Sequence, residues 1–264
     1  MSVSARVSVV EAVEEDAEVF AEISKRAFDT DVDVGAPGPG GPPGYDTPEF
    51  HIRIREFLDC YKILLDGATV GGVFVGKSNE EHLVLERIFV DPELHKRGIA
   101  TRATELVWEM YPEGRFWTLG TPEWNVRTKR FYEKLGFTQV GWDLSEPEWR
   151  GRWYEKQLDP SRPYEMARIG DLVDGMRGVD VEGEVLEKGM ARSVRSRRRR
   201  WETLTVANAA IGDASGRVVL VLWNEQIRQV KEGDRVRVEN GYVSSYRGIT
   251  QLNVGRAGRR IILI

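Results

Sequence analysis

Cysteine and histidine are scarce in this chain of 264 residues, and long apolar runs are absent. The single cysteine, Cys60, excludes an internal disulfide framework and a cysteine-rich metal site. None of the three histidines stands in a recognisable nucleophile motif with a serine or cysteine, so no covalent intermediate is expected. No apolar stretch approaches the ~20 residues of a membrane span, and the N-terminus lacks the pattern of a secretory signal. We therefore expect no metal site, no membrane association and a cytoplasmic location.

Charge is distributed unevenly along the chain, although the net charge is only −4. Residues 1–160 carry 19 Lys and Arg against 29 Asp and Glu, whereas residues 161–264 carry 19 against 13. The length favours about two domains, and the opposite signs suggest different partners. We place the first domain at residues 1–158, a proline-containing linker at 159–167 and the second domain at 168–264. The second domain, being basic, is a candidate for binding nucleic acid.

The pattern of the first domain predicts an α/β fold, a mixed sheet with flanking helices. The predicted strands are residues 6–11, 61–65, 68–76, 83–90, 115–120, 139–144 and 152–158, and predicted helices cover 14–28, 47–58 and 100–110. Asp66 and Gly67 supply the two-residue turn of a hairpin. Residues 29–45 are so rich in proline and glycine that they are expected to be irregular.

The turn after residues 83–90 predicts an anion site. Backbone N–H groups at a helix start lack partners within the helix and lie at the positive end of the helix dipole. We expect unpaired amides from His95 to Thr101, positioned to hold a pyrophosphate. Gly98 matters in this stretch because a side chain there would block close approach.

Two short motifs in the first domain resemble one protein family. His95, Gly98 and Ala100 fill the pattern Arg/Gln-x-x-Gly-x-Gly/Ala. The second pattern, Asn-x-x-Ala-x-x-Phe-Tyr-x-x-x-Gly-Phe, is filled by Asn125, Phe131, Tyr132, Gly136 and Phe137. These are similar to motifs A and B of the Gcn5-related N-acetyltransferases, the GNAT family. His95 replaces the usual glutamine or arginine, and Thr128 replaces the usual alanine.

The GNAT resemblance implies acetyl-CoA as cosubstrate and direct transfer to an amine. The implied coenzyme-binding residues are Ile88, Phe89, Val90, His95, Lys96, Arg97, Gly98, Ile99, Ala100, Thr101, Asn125 and Tyr132. The strand ending at Val90 would be splayed by a bulge, so that its free main-chain groups pair with the pantetheine arm and one N–H faces the thioester oxygen. Tyr132 would return a proton to the departing thiolate. Its alternative is a core aromatic beside Phe131.

The base that deprotonates the amine is less well defined by the sequence. Glu86, on the strand that faces the substrate, is our candidate, with Glu81 or His82 as alternatives. A surface glutamate without a catalytic role would explain the presence of Glu86 or Glu81 equally well. The loop aspartates Asp29, Asp31 and Asp33 lie in the stretch that shapes the acceptor pocket in this family, and a solvated acidic loop is our preferred interpretation of them.

The second domain has short, turn-punctuated strands, which predict an all-β OB-fold barrel. The predicted strands are residues 179–187, 202–211, 217–223, 235–243 and 249–254. Residues 221–253 look like archaeal single-stranded DNA-binding proteins, and this resemblance implies that Trp223, Tyr242 and Tyr246 stack on bases, with Arg247 beside one of them. The alternative for each aromatic residue is a place in the barrel core.

An arginine tract follows the first strand of the predicted barrel. Residues 189–200 form a predicted loop whose arginines are candidates for binding phosphates or stacking on bases. They are Arg192, Arg195, Arg197, Arg198, Arg199 and Arg200, followed by Trp201. A localisation signal or a solubilising tract is the alternative.

Together these features predict an acetyl-CoA-dependent N-acetyltransferase joined to an OB fold that binds single-stranded DNA or RNA. A protein lysine, an N-terminus or a polyamine are the acceptors considered. One alternative is a nucleic-acid-binding protein whose GNAT domain binds coenzyme A as a non-catalytic sensor or scaffold. Another makes the barrel a docking surface for an acidic protein.

Overall fold

The computed structural model describes residues 6–143, 150–195 and 203–264, with backbone only for residues 256 and 257. These residues form two compact units. The first unit takes the described chain up to Thr138 together with Glu155–Arg162, and the second takes Gln139–Tyr154 together with Pro163–Ile264. The chain therefore passes between the units more than once. The linker at residues 159–167 stays a prediction.

The first unit is built on a mixed sheet. Its described elements are β1 (Val7–Glu11), α1 (Ala17–Asp29), α2 (Pro48–Ile54), β2 (Asp59–Leu65), β3 (Ala68–Lys77), β4 (His82–Val90), α3 (Ile99–Met110), β5 (Phe116–Pro122) and α4 (Val126–Lys134). The strands β1 to β4 pair as antiparallel neighbours in chain order, and β5 runs parallel to β4. Asp66 and Gly67 have φ of 51° and 89°, as the predicted two-residue hairpin turn requires.

Strand β4 is bulged and then leaves its neighbour. Across from β3, Phe74 pairs with Arg87 and Val75 pairs with Leu85, so Glu86 is the extra residue of a β-bulge. The parallel pairing with β5 covers only the first part of β4, ending at Val84, although the strand continues to Val90. The C-terminal halves of β4 and β5 therefore separate. A bulged β4 that separates from its neighbour is the arrangement that the GNAT resemblance implies.

The proline- and glycine-rich segment is more regular than expected. Thr30–Val34 forms a 3-10 helix, so the prediction of wholly irregular structure is wrong there. The rest is held by packing, because the Tyr45 hydroxyl donates to Asp29 at 2.8 Å and the Tyr45 ring lies edge-on to Phe28 at 5.9 Å. The predicted helix at 47–58 ends earlier, at Ile54.

The second unit contains a closed barrel. Its described elements are β6 (Thr138–Asp143) and β7 (Gly151–Gln157), whose outer ends belong to the first unit, and then β8 (Arg177–Lys188), β9 (Arg192–Arg195), β10 (Thr203–Gly212), β11 (Arg217–Trp223), α5 (Gln226–Gln229), β12 (Arg235–Tyr246) and β13 (Ile249–Leu263). β8 pairs with β10, β10 with β11, β11 with β13, β13 with β12, and β12 with β8. This circuit is the predicted OB barrel. None of the described helices is long and apolar enough to cross a membrane.

Two features of the second unit differ from the prediction. Residues 192–195, expected in a loop, form β9 and pair with Thr203–Val206 of β10. β13 continues well beyond the predicted end at residue 254, and its last residues pair with β6, with Asp143 opposite Ile261. The adjacent β7 is joined to the barrel through Trp153, whose indole N–H donates to the buried Glu239 carboxylate at 2.9 Å. Residues 139–143 and 150–154 therefore pack as part of the barrel unit.

Candidate functional site

The turn between β4 and α3 exposes a run of backbone amides. Its first part is a 3-10 turn in which the His95 N–H donates to the Pro92 carbonyl at 3.2 Å. The expectation that the free amides begin at His95 is therefore wrong, and the run begins one residue later, at Lys96. The N–H groups without an acceptor among the described residues are those of Lys96, Arg97, Gly98, Ile99, Ala100 and Thr101.

Gly98 is required here for its backbone conformation. It caps α3 with φ of 79°, in the left-handed region that other residues adopt only with strain. A Cβ atom at Gly98 would meet no atom within 4 Å, so the space above the amides is open on the protein side. Lys96 and Arg97 are exposed beside it, whereas Ile99 is buried and anchors the helix. The result is an accessible run of donors at the positive end of a helix.

The end of β4 is fixed to this turn by a histidine. The His95 Nε2 atom donates to the Val90 carbonyl at 2.9 Å. Phe89 and Val90 are buried, and Ile88 is half-buried. The side chain of His95 is thus used to hold the strand and turn together, and a contact of His95 with the coenzyme stays a prediction.

Asn125 is placed by the structure of α4. It is 1% exposed, and its Oδ1 accepts the N–H of Thr128 at 3.1 Å, which makes it the N-cap of the helix. The Thr128 hydroxyl contacts the Asn125 carbonyl at 3.1 Å and the Thr121 hydroxyl at 2.6 Å. The threonine that departs from the motif therefore adds two bonds at this helix start. A contact of Asn125 with the coenzyme stays a prediction.

Tyr132 lies on α4 among aromatic rings. Its ring centroid is 5.0 Å from that of Phe131 and 6.0 Å from that of Phe137, and the residue is 6% exposed. Burial raises the pKa of the Tyr132 phenol well above its usual value, and the negative charge of Asp31 raises it further. The phenol is therefore neutral at any ordinary pH and can donate a hydrogen bond. Its catalytic role stays a prediction.

Glu86 has a different position from its two alternatives. It is the bulge residue of β4, and a Cβ atom at Gly76 would lie 3.1 Å from its carboxylate. Glu81 is ion-paired with Arg115 at 2.5 Å, and His82 is fully buried with Nε2 2.8 Å from the Thr118 hydroxyl. Glu81 and His82 lie at the end of β4 that is still paired with β5. Neither alternative therefore faces the gap, and Glu86 remains the candidate base.

Asp31 is the residue whose interpretation the structure changes most. We expected a solvated loop aspartate, but Asp31 is 7% exposed and its Oδ1 accepts from the Arg127 guanidinium. Arg127 also donates to the Thr30 hydroxyl at 3.0 Å. Asp29 is held by Lys25 at 2.6 Å, whereas Asp33 is exposed as expected. The partner of Asp31 is 96 residues away in the sequence, so no local pattern indicates the pair.

The aromatic residues of the barrel lie on its outer surface. On β11, the core side is formed by Val218, Leu220 and Leu222, so Trp223 faces outward with 38% exposure. Tyr242 and Tyr246 on β12 are 37% and 46% exposed. The register places Val221 of β11 opposite Asn253 of β13, and Asn253 opposite Tyr242. The three aromatics are therefore outward-facing residues of β11 and β12, the two strands that flank β13, rather than core residues.

Arginines adjoin these aromatic residues. Arg247 occupies the β12–β13 turn with φ of 53°, and its guanidinium lies 5.4 Å from the centre of the Tyr246 ring. Arg177 on β8 is opposite Tyr242, and Arg192 on β9 is opposite Val206, which is itself opposite Trp223. Directly opposed residues of antiparallel strands share a face. Both Arg177 and Arg192 are exposed.

Sequence analysis missed Arg177, and it placed Arg192 in a loop rather than on a strand. The positions of both follow from the register of β8, β9, β10 and β12, which the sequence alone does not give. The predicted tract of Arg197, Arg198, Arg199 and Arg200 with Trp201 lies outside the described residues.

Comparisons with known families agree with both halves. Residues 27–137 match the family model described as acetyltransferase (GNAT) family, and residues 176–261 match that of single-stranded DNA binding protein Ssb-like, OB fold. The chain carries a GNAT domain followed by an OB-fold, Ssb-like domain. The GNAT match ends at the close of the second motif, and the OB match covers most of the barrel.

Individual relatives resemble parts of the chain. The single-stranded DNA binding protein Ssb of Saccharolobus solfataricus is 35% identical over 88 residues, which are 33% of this chain and 57% of that protein. The uncharacterized protein YrkN of Bacillus subtilis is 38% identical over 79 residues, 29% of this chain and 43% of that protein. An acetyltransferase structure from Thermus thermophilus has a TM-score of 0.48 at 15% identity, covering 58% of this chain and 97% of that one. The chain spans about half the length of the two curated relatives, Ssb and YrkN.

Proposed function

We propose that the chain is an acetyl-CoA-dependent N-acetyltransferase whose OB domain binds single-stranded nucleic acid. The observation that carries the transferase half is the run of unpaired amides that begins at Lys96, next to the point where β4 and β5 separate. A diphosphate bound at these amides would place the rest of the coenzyme alongside the open part of β4. Exposed Lys96 and Arg97 add positive charge at the same place.

The proposed chemistry is direct transfer in a ternary complex. Glu86 takes a proton from the acceptor ammonium, and the free amine attacks the thioester carbonyl carbon. A main-chain N–H of β4 stabilises the oxyanion of the tetrahedral intermediate. The carbon–sulfur bond then breaks, the acetyl group stays on nitrogen, and the thiolate leaves with a proton that comes from the nitrogen.

The environment of Tyr132 favours hydrogen bonding over full proton donation. Its pKa is raised by burial and by Asp31, whereas a thiol has a pKa of about 8.5. Transfer of the phenol proton to the thiolate would leave a phenolate buried beside a carboxylate. We propose that the neutral phenol donates a hydrogen bond to the departing sulfur and relays the proton released by the nitrogen.

The raised pKa of the Tyr132 phenol also supports a second candidate function for the first domain. A phenol with a raised pKa is a weak acid, so the domain is also compatible with binding coenzyme A without turnover, as a sensor or scaffold. Coenzyme binding without release of free thiol from acetyl-CoA, for any amine offered, would favour this alternative.

For the barrel, we propose stacking of unpaired bases on Trp223, Tyr242 and Tyr246. Each is more than a third exposed, on the two strands that flank β13 in one closed barrel. Stacking tolerates any base, and the adjoining arginines supply phosphate contacts. If the barrel instead docks an acidic protein, an oligonucleotide would leave its tryptophan fluorescence unchanged.

A matched pair of glycine variants tests the coenzyme site. Gly98→Ala and Gly67→Ala both place a side chain at a positive φ, 79° and 89°, and a Cβ atom meets nothing within 4 Å at either position. Both variants therefore carry a similar backbone strain, of the order of 1 kcal/mol. Calorimetry should show coenzyme A binding to the natural chain and to Gly67→Ala, and binding weakened at least tenfold by Gly98→Ala. Equal binding by all three would refute the amide site.

The transfer reaction needs a separate assay. Release of free thiol from acetyl-CoA is followed with a protein-lysine peptide, an N-terminal peptide and a polyamine, each with and without a single-stranded oligonucleotide. Thiol release that depends on one amine supports the transferase and identifies the acceptor class.

A further inference from the structure

The segment around residues 30–35 in the first unit is tied to the start of α4. Asp31 is bonded to the guanidinium of Arg127, which also donates to the Thr30 hydroxyl. The Asn125 side chain lies close to the Asp31 carboxylate and acts to lower its pKa. Gly35 follows in the left-handed region, and a Cβ atom there would lie 3.1 Å from the Trp124 carbonyl. We call Asp31, Thr30, Asn125 and Arg127 the Asp31 cluster.

The Asp31 cluster is a buried ionic arrangement. Asp31 is 7% exposed and Asn125 is 1% exposed. Burial raises the pKa of Asp31, while Arg127, Asn125 and the nearby His95 act in the opposite direction. A buried carboxylate persists only where such partners compensate for lost hydration. Because Asp31 is buried and its Oδ1 is already bonded to Arg127, it is a poor candidate for binding the acceptor amine.

The cluster acts on Tyr132 by two routes. The Asp31 carboxylate is bonded to Arg127 in the first turn of α4, and it lies close to Asn125, whose Oδ1 caps the same helix. Tyr132 lies on the same helix, within the field of the Asp31 carboxylate. A change at Asp31 therefore alters the helix start and the electrostatic environment of the phenol.

We propose that Asp31 is a positioning residue of the transferase site, which through Asn125 and Arg127 fixes the start of α4 and so holds Tyr132 in place. This inference rests on the proposed function for its kinetic consequence. Its structural content, the link between Asp31 and Tyr132, is independent of turnover and is measured separately.

The test compares Asp31→Asn with Asp33→Asn. Both remove one carboxylate from the same 3-10 helix, but Asp33 is exposed and has no partner among the described residues. Asn125→Ser is the second variant, because serine still caps a helix but is too short to reach Asp31. Each protein is labelled with 13C at the tyrosine ζ carbon, and Tyr132→Phe identifies the Tyr132 resonance.

We expect Asp31→Asn and Asn125→Ser to shift the Tyr132 resonance and Asp33→Asn to leave it unchanged. With an accepted amine, Asp31→Asn should lower kcat about tenfold or more, while the KM for acetyl-CoA and the Kd of coenzyme A change less than threefold. If Asp31→Asn fails to fold, Asn125→Ser supplies the resonance readout, which does not depend on the coenzyme contact predicted for Asn125.

The outcomes separate the inference from the proposed function. If Asp31→Asn and Asn125→Ser shift the Tyr132 resonance no more than the control Asp33→Asn does, the inference is overturned, whatever the activity. A shifted resonance in a protein without turnover supports the link and counts against the transferase. A large rise in the Kd of coenzyme A with unchanged kcat would make Asp31 part of coenzyme binding and would also overturn the inference.

Discussion

Arg177 and Arg192, which strand register places beside the aromatic residues, allow a quantitative test of nucleic-acid binding. The perturbation is the double variant Arg177→Ala/Arg192→Ala. Both side chains are exposed. Arg177 lies opposite Tyr242, and Arg192 lies in the same cross-strand row as Trp223. The matched control is Arg168→Ala/Arg235→Ala, which removes the same charge.

The control arginines lie away from the aromatic face. Arg168 precedes a 3-10 turn in which the Ile169 N–H donates to Asp213. Asp213 lies beside the start of β11, whereas Trp223 lies at the end of β11. The seven residues of β11 separate the two places by about 20 Å. Arg235 begins β12 and is paired with Glu182.

The magnitude follows from counterion release. Each phosphate contact on a single strand contributes about −0.7 to the slope of log affinity against log salt, so loss of two contacts should make the slope less steep by about 1.4. Between about 50 and about 500 mM salt, the natural chain should then lose about 25-fold more affinity than the double variant loses.

The assay is quenching of tryptophan fluorescence by a single-stranded oligonucleotide of mixed sequence at several salt concentrations. The control variant should keep the slope of the natural chain. If the double variant and the control have the same slope, Arg177 and Arg192 do not contact phosphates. A natural chain whose affinity does not respond to salt would refute the electrostatic argument altogether.

Three further predictions concern the second unit. Trp223→Ala and Tyr242→Ala should each weaken oligonucleotide binding by about 1–3 kcal/mol in fluorescence anisotropy, with coenzyme binding retained, and normal oligonucleotide affinity would remove that residue from the stacking face. Trp153→Phe leaves the buried Glu239 carboxylate without its indole donor and should lower the free energy of unfolding by about 1–3 kcal/mol. Denaturant titration measures this loss, and equal stability of the two proteins would contradict the prediction. Burial raises the pKa of Asp213, but bonds from backbone N–H groups and a serine hydroxyl outweigh it and hold the value at about 2. The stability that natural Asp213 adds over Asp213→Asn should therefore be present above pH ~4 and disappear as the pH falls toward 2, and thermal midpoints that differ equally at all pH values would exclude this linkage.

Features with local signals could be predicted from the sequence. The hairpin at Asp66 and Gly67, the order of the barrel strands and the helix start at Gly98 each depend on a few adjacent residues. The outward position of Trp223 follows from alternation along one strand. The family resemblances added the roles that local pattern alone does not supply.

Features that depend on distant partners were missed. Asp31 gave no signal because Arg127 and Asn125, which make its burial possible, belong to a separate motif. β9 looked like a loop because a short arginine-containing strand forms only when β10 is beside it. The extension of β13 required a partner, β6, that lies outside both matched family models.

The pairing of β6 with β13 has a consequence for synthesis of the chain. A ribosome releases residues 139–154 long before Ile261, the partner of Asp143, has been made. The GNAT segment can collapse early, in the usual N-terminal-first order, while β6 waits for the last strand. During that interval the edge of β6 and the side chain of Trp153 lack their final partners. A nascent chain arrested before residue 255 should therefore bind a chaperone or a hydrophobic dye more strongly than the finished protein does.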